Sequence, residues 1–146
     1  MKNLQIVEYE DMLLWCLEEL SLDWGDHFWK SDEILRSIAA GDKRLFFVLV
    51  DSQAAGMIFF SIASLESELL FLFIRDNFRH QGLARRLMKE YFATLKTLKI
   101  DSLFLEVRES NTGAQALYQS LEYRLIGRRP RYYRDGESAL VMKKEL

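Results

Sequence analysis

The stretch from Phe71 to Ala84 constrains this chain more than any other. Phe71-Leu72-Phe73-Ile74 is an apolar run of strand length, and Arg75-Asp76-Asn77-Phe78 breaks it. Arg79-His80-Gln81-Gly82-Leu83-Ala84 is then a glycine-bearing loop that opens directly into an amphipathic helix. The start of a helix leaves its first backbone N–H groups unpaired and its positive dipole end bare, so an anion such as a phosphate is held there. Gly82 lets backbone approach a ligand with no Cβ in the way, and Ala84 is the next smallest residue. By itself the loop also reads as an ordinary strand-to-helix turn.

The helix that follows, from Gly82 to about Leu98, places Leu83, Leu87, Tyr91, Leu95 and Leu98 on one face, with Arg85, Arg86, Lys89 and Lys96 turned elsewhere. Upstream, Leu4 to Val7 reads as a strand and Asp11 to Leu20 as a helix with Leu13, Leu14, Leu17 and Leu20 on one side. Ser31 is placed to cap a second helix that ends near Gly41. Leu45 to Val50 and Ala54 to Ala63 form a hairpin around Asp51-Ser52-Gln53, and a strand from Glu68 to Ile74 leads into the loop. Downstream come a strand at Ser102 to Arg108, a helix from Thr112 to Leu121 and two final strands. The alternation is mixed α/β, antiparallel at its beginning and end.

With 146 residues, 49% hydrophobic content and no linker, repeat or low-complexity tract, residues 1–146 are expected to form a single domain. The longest apolar run, Leu69 to Ile74, is too short to span a bilayer, and no signal-type segment follows Met1-Lys2-Asn3. A cytoplasmic protein with no membrane attachment is the expectation. A net charge of −2 does not favour direct nucleic-acid binding. The lone Cys16 cannot form an internal disulfide and reads as a packed thiol, and neither His27 nor His80 has neighbours at metal-ligand spacing. The charges are nevertheless uneven: the first third is acidic, and Arg124, Arg128, Arg129, Arg131 and Arg134 crowd the end. Solvated faces explain much of this; an acidic rim for a cationic peptide and a basic patch for phosphates is the functional alternative.

A second motif changes the weight of the first. Leu103 to Arg108 alternates as a strand, and Glu109-Ser110-Asn111-Thr112-Gly113-Ala114-Gln115-Ala116-Leu117-Tyr118 enters a new helix. The two motifs, in this order and separation, resemble the GNAT N-acetyltransferase superfamily. Within it, Leu105-Glu106-Val107-Arg108, Ser110-Asn111 and Ala116-Leu117-Tyr118 are similar to the RimI-type branch, which acetylates the N-terminal alanine of a ribosomal protein. Arg128-Arg129, Tyr132-Tyr133, Gly136-Glu137 and Ala139 to Met142 extend that likeness, which covers roughly residues 68 to 143. The resemblance implies a central, mostly antiparallel mixed sheet with flanking helices, whose middle strands splay apart to admit the pantetheine arm of acetyl-CoA. It implies that Leu72, Phe73 and Ile74 pair their backbone with the pantetheine amides. It implies that the loop from Arg79 through His80, Gln81, Gly82, Leu83 and Ala84 to Arg85 holds the pyrophosphate, chiefly by backbone, which makes His80 a bystander in acid–base terms. Asn111 falls where the branch contacts coenzyme A, and is equally placed as a helix cap.

Acetyl transfer from a thioester needs the amine to lose a proton and the leaving sulfur to gain one. An α-amine, with a free pKa of about 8, arrives mainly protonated at neutral pH. Glu106 interrupts an apolar strand; on its own it reads as paired with Arg108 or exposed at a strand end. Tyr118 alone is an ordinary half-buried aromatic. The resemblance makes Glu106 the base and Tyr118, twelve residues on, the acid. It requires no metal. Three departures stand out: Glu122-Tyr123 where Gly-Phe is usual, Asp76 for a proline, and Ser138 for an acidic residue after Glu137. A non-glycine residue in a left-handed cap costs about 1 kcal/mol, so the Tyr118 helix is expected to end differently. The acceptor implied is a peptide or protein N-terminus, a ribosomal protein among the candidates, bound between Trp24, Phe28 and Trp29 and the Tyr132-Tyr133 hairpin; core packing is the other reading of the three aromatics. A small amine (polyamine, aminoglycoside or amino acid) is the competing substrate, and a non-catalytic acyl-CoA sensor or partner subunit the competing class. Oligomeric state is not legible.

Overall fold

Seven strands pair into one sheet. In chain order they are β1 (Leu4–Glu8), β2 (Lys43–Val50), β3 (Gln53–Ala63), β4 (Glu66–Ile74), β5 (Ser102–Arg108), β6 (Arg124–Arg129) and β7 (Ala139–Glu145). Across the sheet the order is β1-β2-β3-β4-β5-β7-β6. The computed structural model describes residues 2–25 and 28–146, so the expectation for His27 lies outside the described residues. Helices α3 (Leu83–Thr97) and α4 (Thr112–Ser120) pack on one face of the sheet, and α1 (Leu14–Trp24) and α2 (Ser31–Ala39) on the other. Each face carries its own apolar cluster, as alternation along the buried strands requires.

The feature that makes the site lies at the centre. β4 and β5 run parallel, but their pairing extends only from Glu66↔Ser102 to Leu69↔Leu105. β4 continues to Ile74 and β5 to Arg108 without further pairing, so the two strands part like a V. The cause lies in β4's other neighbour. Phe59 pairs with Phe71 and Phe60 with Leu69, which leaves Leu70 as an extra residue that bends β4 away. β3 still follows the bent strand because Gly56 faces it: a Cβ there would lie 2.5 Å from the Phe73 carbonyl oxygen.

Most expected elements stand where the residue pattern puts them, with informative differences. The Asp51-Ser52 turn has both residues at positive φ (49° and 66°), the two-residue geometry that suits twisted strands. The first helix is preceded by a short 3-10 turn, Asp11–Leu13, and runs on to Trp24; Cys16, Leu17, Leu20 and Trp24 form its buried stripe. Ser31 is the first helical residue of α2 rather than its cap. Lys30 holds the cap position, and its backbone N–H donates to Glu33 Oε2 at 3.4 Å. On α3 the core stripe is Leu83, Leu87, Met88, Tyr91 and Leu95, whereas Leu98 lies past the helix and is 46% exposed. The end of α4 overturns its expectation. Glu122 adopts φ +71° although it is not glycine, and the Tyr123 N–H donates to the Tyr118 carbonyl at 3.0 Å. Tyr123 is buried against Tyr118 and Phe92, and this apolar clasp offsets the strain at Glu122.

Candidate active site

The V between β4 and β5 opens into a cleft of about 1760 Å³. One wall is β4, where Leu72, Phe73 and Ile74 line the cleft and the edge facing β5 has no ladder beyond Leu69. Its main-chain groups are therefore available to a ligand's amides. At the end of that wall the chain makes a 3-10 turn, Asp76–Phe78, pinned by the buried Phe78, and then the loop into α3.

Gly82 sits at the N-cap of α3 with φ +75° and ψ 15°, a left-handed conformation that favours glycine. Its carbonyl accepts the first helical bond, from the Arg86 N–H at 3.1 Å, and no side chain caps the helix. The first-turn N–H groups thus face the cleft, where Gly82, Leu83, Ala84 and Arg85 are lining residues. The loop's side chains are turned to structural work. Arg79 Nε donates to the Ile74 carbonyl at 3.1 Å and its Nη2 lies 3.2 Å from Asp76, fastening loop to strand. Arg85 Nη2 donates to Ser120 Oγ at 2.8 Å, tying α3 to α4. His80, at φ +63°, and Arg79 line the cleft. Gln81 does not line it, and its side chain accepts from Lys2 Nζ at 3.3 Å.

The opposite wall carries the polar chemistry. In β5, Leu103, Leu105 and Val107 enter the core beneath α3 and α4, which leaves Phe104, Glu106 and Arg108 half-buried on the other face. Glu106 is 17% exposed, and its Oε1 lies 3.5 Å from Arg129 Nε. Its Oε2 is buried without a hydrogen-bond partner. Arg108 is engaged elsewhere: its Nη1 reaches Asp135 at 2.8 Å and Glu137 at 2.9 Å, with the guanidinium 4.1 Å from the Tyr133 ring centre. Hydrogen bonds from Ser110 and then Arg108 hold the Glu137 carboxyl below the ordinary glutamate range. This clasp fastens the β6–β7 connection, and with it Tyr132 and Tyr133, over the cleft. The nearby Glu106 carboxylate is the chief cause of the raised pKa of the Tyr132 phenol.

Tyr118, on α4, is 7% exposed and lines the same cleft. Burial, reinforced by Tyr133, pushes its phenol pKa well above the ordinary value, so it stays protonated at neutral pH. Asn111 caps α4, its Oδ1 accepting from the Ala114 N–H at 3.1 Å, and it also borders the cleft.

Several expectations are corrected. Trp24 is core, edge-on to Phe71 at 5.1 Å and Phe73 at 5.7 Å; only Phe28 and Trp29 of that trio line the cleft. Four carboxylates of the acidic first third are engaged in ion pairs: Glu8 with Arg44, Asp32 with Arg36, and Glu19 and Asp23 with Arg75. Of the arginines at the end, Arg128 pairs with Glu109 and Arg129 with Glu106, whereas Arg134 lines the cleft. Cys16, as expected, is a packed thiol in the α1 core, where burial pushes its pKa up to about 11. Among the described residues no cluster of His, Cys, Asp or Glu is arranged to hold a metal, and no helix is long and apolar enough to cross a membrane. Two charged residues at the site were given no role by the reading of motifs: Glu68 and Arg129. The signal for Glu68 was its place as a charge opening an apolar strand; Arg129 stood in the basic group and in the Arg128-Arg129 pair of the resemblance.

A sheet parted at one parallel pair, beside an uncapped helix start, is the architecture of an acyl-CoA-dependent transferase. The family description "Acetyltransferase (GNAT) domain" matches residues 16–146, and the chain belongs to the GNAT acetyltransferase family. Among curated relatives, the [ribosomal protein bS18]-alanine N-acetyltransferase of Haemophilus ducreyi is 40% identical over 81 residues, 53% of this chain. That match spans only 56% of the Haemophilus protein. The Escherichia coli K12 protein of the same name is 34% identical over 108 residues, covering 70% of this chain and 72% of its own length. Among solved structures, Arabidopsis thaliana NAA60 in complex with acetyl-CoA shares the fold with a TM-score of 0.87 at 14% identity, over 99% of each chain.

Proposed function

We propose that this protein transfers the acetyl group of acetyl-CoA to the N-terminal α-amine of a protein, in the manner of the ribosomal-protein alanine acetyltransferases it is similar to. The observation that carries the reading is the half-buried Glu106, with an unpartnered carboxylate oxygen, in the same cleft as the buried phenol of Tyr118. The cleft fits an acyl-CoA: unpaired strand edge along β4 for amides, and bare N–H groups at α3 for phosphates. That the NAA60 structure contains acetyl-CoA supports this choice. When bound, the thioester supplies the acetyl group.

In this reading Glu106 takes one proton from the α-ammonium, and the neutral nitrogen attacks the thioester carbon. As the C–N bond forms and the C–S bond breaks, Tyr118 gives its proton to sulfur and regains the second proton shed by nitrogen. The raised pKa makes the phenol a dependable hydrogen-bond donor but a reluctant acid toward a thiolate of ordinary pKa. Tyr118→Phe is therefore expected to lower kcat by about tenfold with little change in either KM, as read by steady-state kinetics. Tyr132, Tyr133, Phe28 and Trp29 form the mouth through which a peptide enters. No nucleic acid or membrane takes part, and the protein works in the cytoplasm as one domain.

Incubation with acetyl-CoA and a panel of N-terminal peptides and free amines, read by mass, tests the reading. Peptides beginning with alanine, including a ribosomal-protein N-terminus, are expected to gain one acetyl group at the α-amine. Faster acetylation of polyamines or aminoglycosides than of any peptide would replace the substrate class.

A further inference from the structure

Two charged residues from different strands meet Glu106. Arg129 ends β6, paired with Ala139 of β7, and reaches back across the sheet face to place its Nε 3.5 Å from Glu106 Oε1. Its guanidinium also lies 5.7 Å from the Tyr132 ring centre. From the other side β4 brings Glu68, whose partner across the parallel ladder is Phe104, two residues before Glu106 and on the same face. Glu68, Glu106 and Arg129 line one cavity of about 300 Å³, separate from the main cleft except at Glu106, which borders both. The space is open to solvent on one side, so the charges interact across water at a partly shielded surface.

Two carboxylates in one cavity resist double ionisation, and a guanidinium at ion-pair distance favours it. Glu68 itself shows both influences: burial and then Glu106 raise its pKa, and Arg129 opposes them. A base for an α-ammonium at neutral pH must be charged when the amine arrives, yet not so firmly paired that it refuses the proton. A cation alone meets the first demand and spoils the second; a second carboxylate does the reverse.

We infer that Arg129 and Glu68 are opposing positioning residues for Glu106, Arg129 holding its carboxylate charged and in place while Glu68 makes it readier to accept a proton. The inference rests on Glu106 being the base. The other groups around it are already committed. Arg108, on its own strand, is held by Asp135 and Glu137, and Lys143 of β7 pairs with Glu145 at 2.9 Å over the Phe104 ring. Tyr132 and Tyr133 face it as phenols whose pKa its charge helps to raise. Glu66 borders the cavity from β4, and Tyr91, behind β4, feels Glu68 while bonded to Ser67.

The test is the pH dependence of kcat/KM for an acceptor peptide. Arg129 is 58% exposed, so screening limits each displacement to about half to one pH unit. In Arg129→Gln the acidic limb is expected to move to higher pH, and in Glu68→Gln to lower pH. Arg129→Lys keeps the charge and stays near the wild-type profile. A ¹³C titration of the Glu106 carboxyl in the folded variants reads the same opposed displacements without turnover. Limbs that stay at the wild-type position, or that move the same way in both variants, overturn the inference. An acidic limb unchanged in Glu106→Gln defeats the base assignment and this inference with it; a limb that is replaced there by one near the amine's own pKa of about 8, but is unmoved in the other two variants, defeats the inference alone.

Discussion

Glu106→Gln is expected to lower kcat/KM by about 10²-fold or more at neutral pH while the protein keeps its fold and its affinity for acetyl-CoA. Glutamine preserves the shape of a side chain that sits half-buried beside the Tyr132-Tyr133 connection, and it removes the one property the proposed reaction asks of it, proton acceptance. The defect has a diagnostic pH dependence. An α-amine with a free pKa of about 8 is mostly protonated at pH 7 and mostly neutral at pH 9. The variant therefore recovers part of its rate as pH rises, since more acceptor arrives already deprotonated. Loss of packing would give a defect that stays constant or worsens with pH. A wild-type rate across the range would make Glu106 a structural partner of Arg129 and nothing more.

The route from residues to site was legible in the parts where one element decides the outcome. Alternation from Leu103 to Arg108 placed Glu106 on the face opposite the core, and the structure keeps it there. The three-and-four spacing from Leu83 to Leu95 likewise predicts the buried face of α3. It fails at Leu98 because the chain leaves the helix after Thr97, and a periodicity has no meaning past a helix end. What escaped the sequence depends on distant partners. Nothing local announces that Leu70 will be the extra residue that bends β4, because the bulge is defined by how Phe59 and Phe60 pair across the ladder. The partner of Glu106 was sought two residues away, at Arg108, but the two hairpin carboxylates capture Arg108 and leave Glu106 to Arg129. The Glu122 cap shows the same limit. Its local cost argues against a left-handed residue, and burial of Tyr123 overrules it.

The loop before α3 offers the second large effect, on the cofactor rather than the base. Gly82 holds φ +75°, and a Cβ built there meets no other protein atom within 4 Å. The Cβ of Gly82→Val therefore has room in the folded protein, and the main cost is that of a β-branched residue in left-handed backbone, about 1–2 kcal/mol. A loss of that size lowers Tm by several degrees without unfolding the chain. The same side chain projects into open space at the cleft-lining start of α3, where the bare N–H groups of the first turn stand. Backbone that relaxes to relieve the strain re-aims those donors, and backbone that does not leaves two methyl groups in the anion's place. Either way the KM for acetyl-CoA should rise by more than tenfold, with a smaller change in kcat at saturating cofactor. Gly82→Ala separates the two causes: it carries most of the φ cost with little of the bulk, so an intermediate KM assigns the rest to steric exclusion. Kinetics at varied acetyl-CoA with a thermal melt on each variant decide the matter. A folded Gly82→Val enzyme with the wild-type KM would mean that the cofactor's phosphates bind somewhere other than the start of α3.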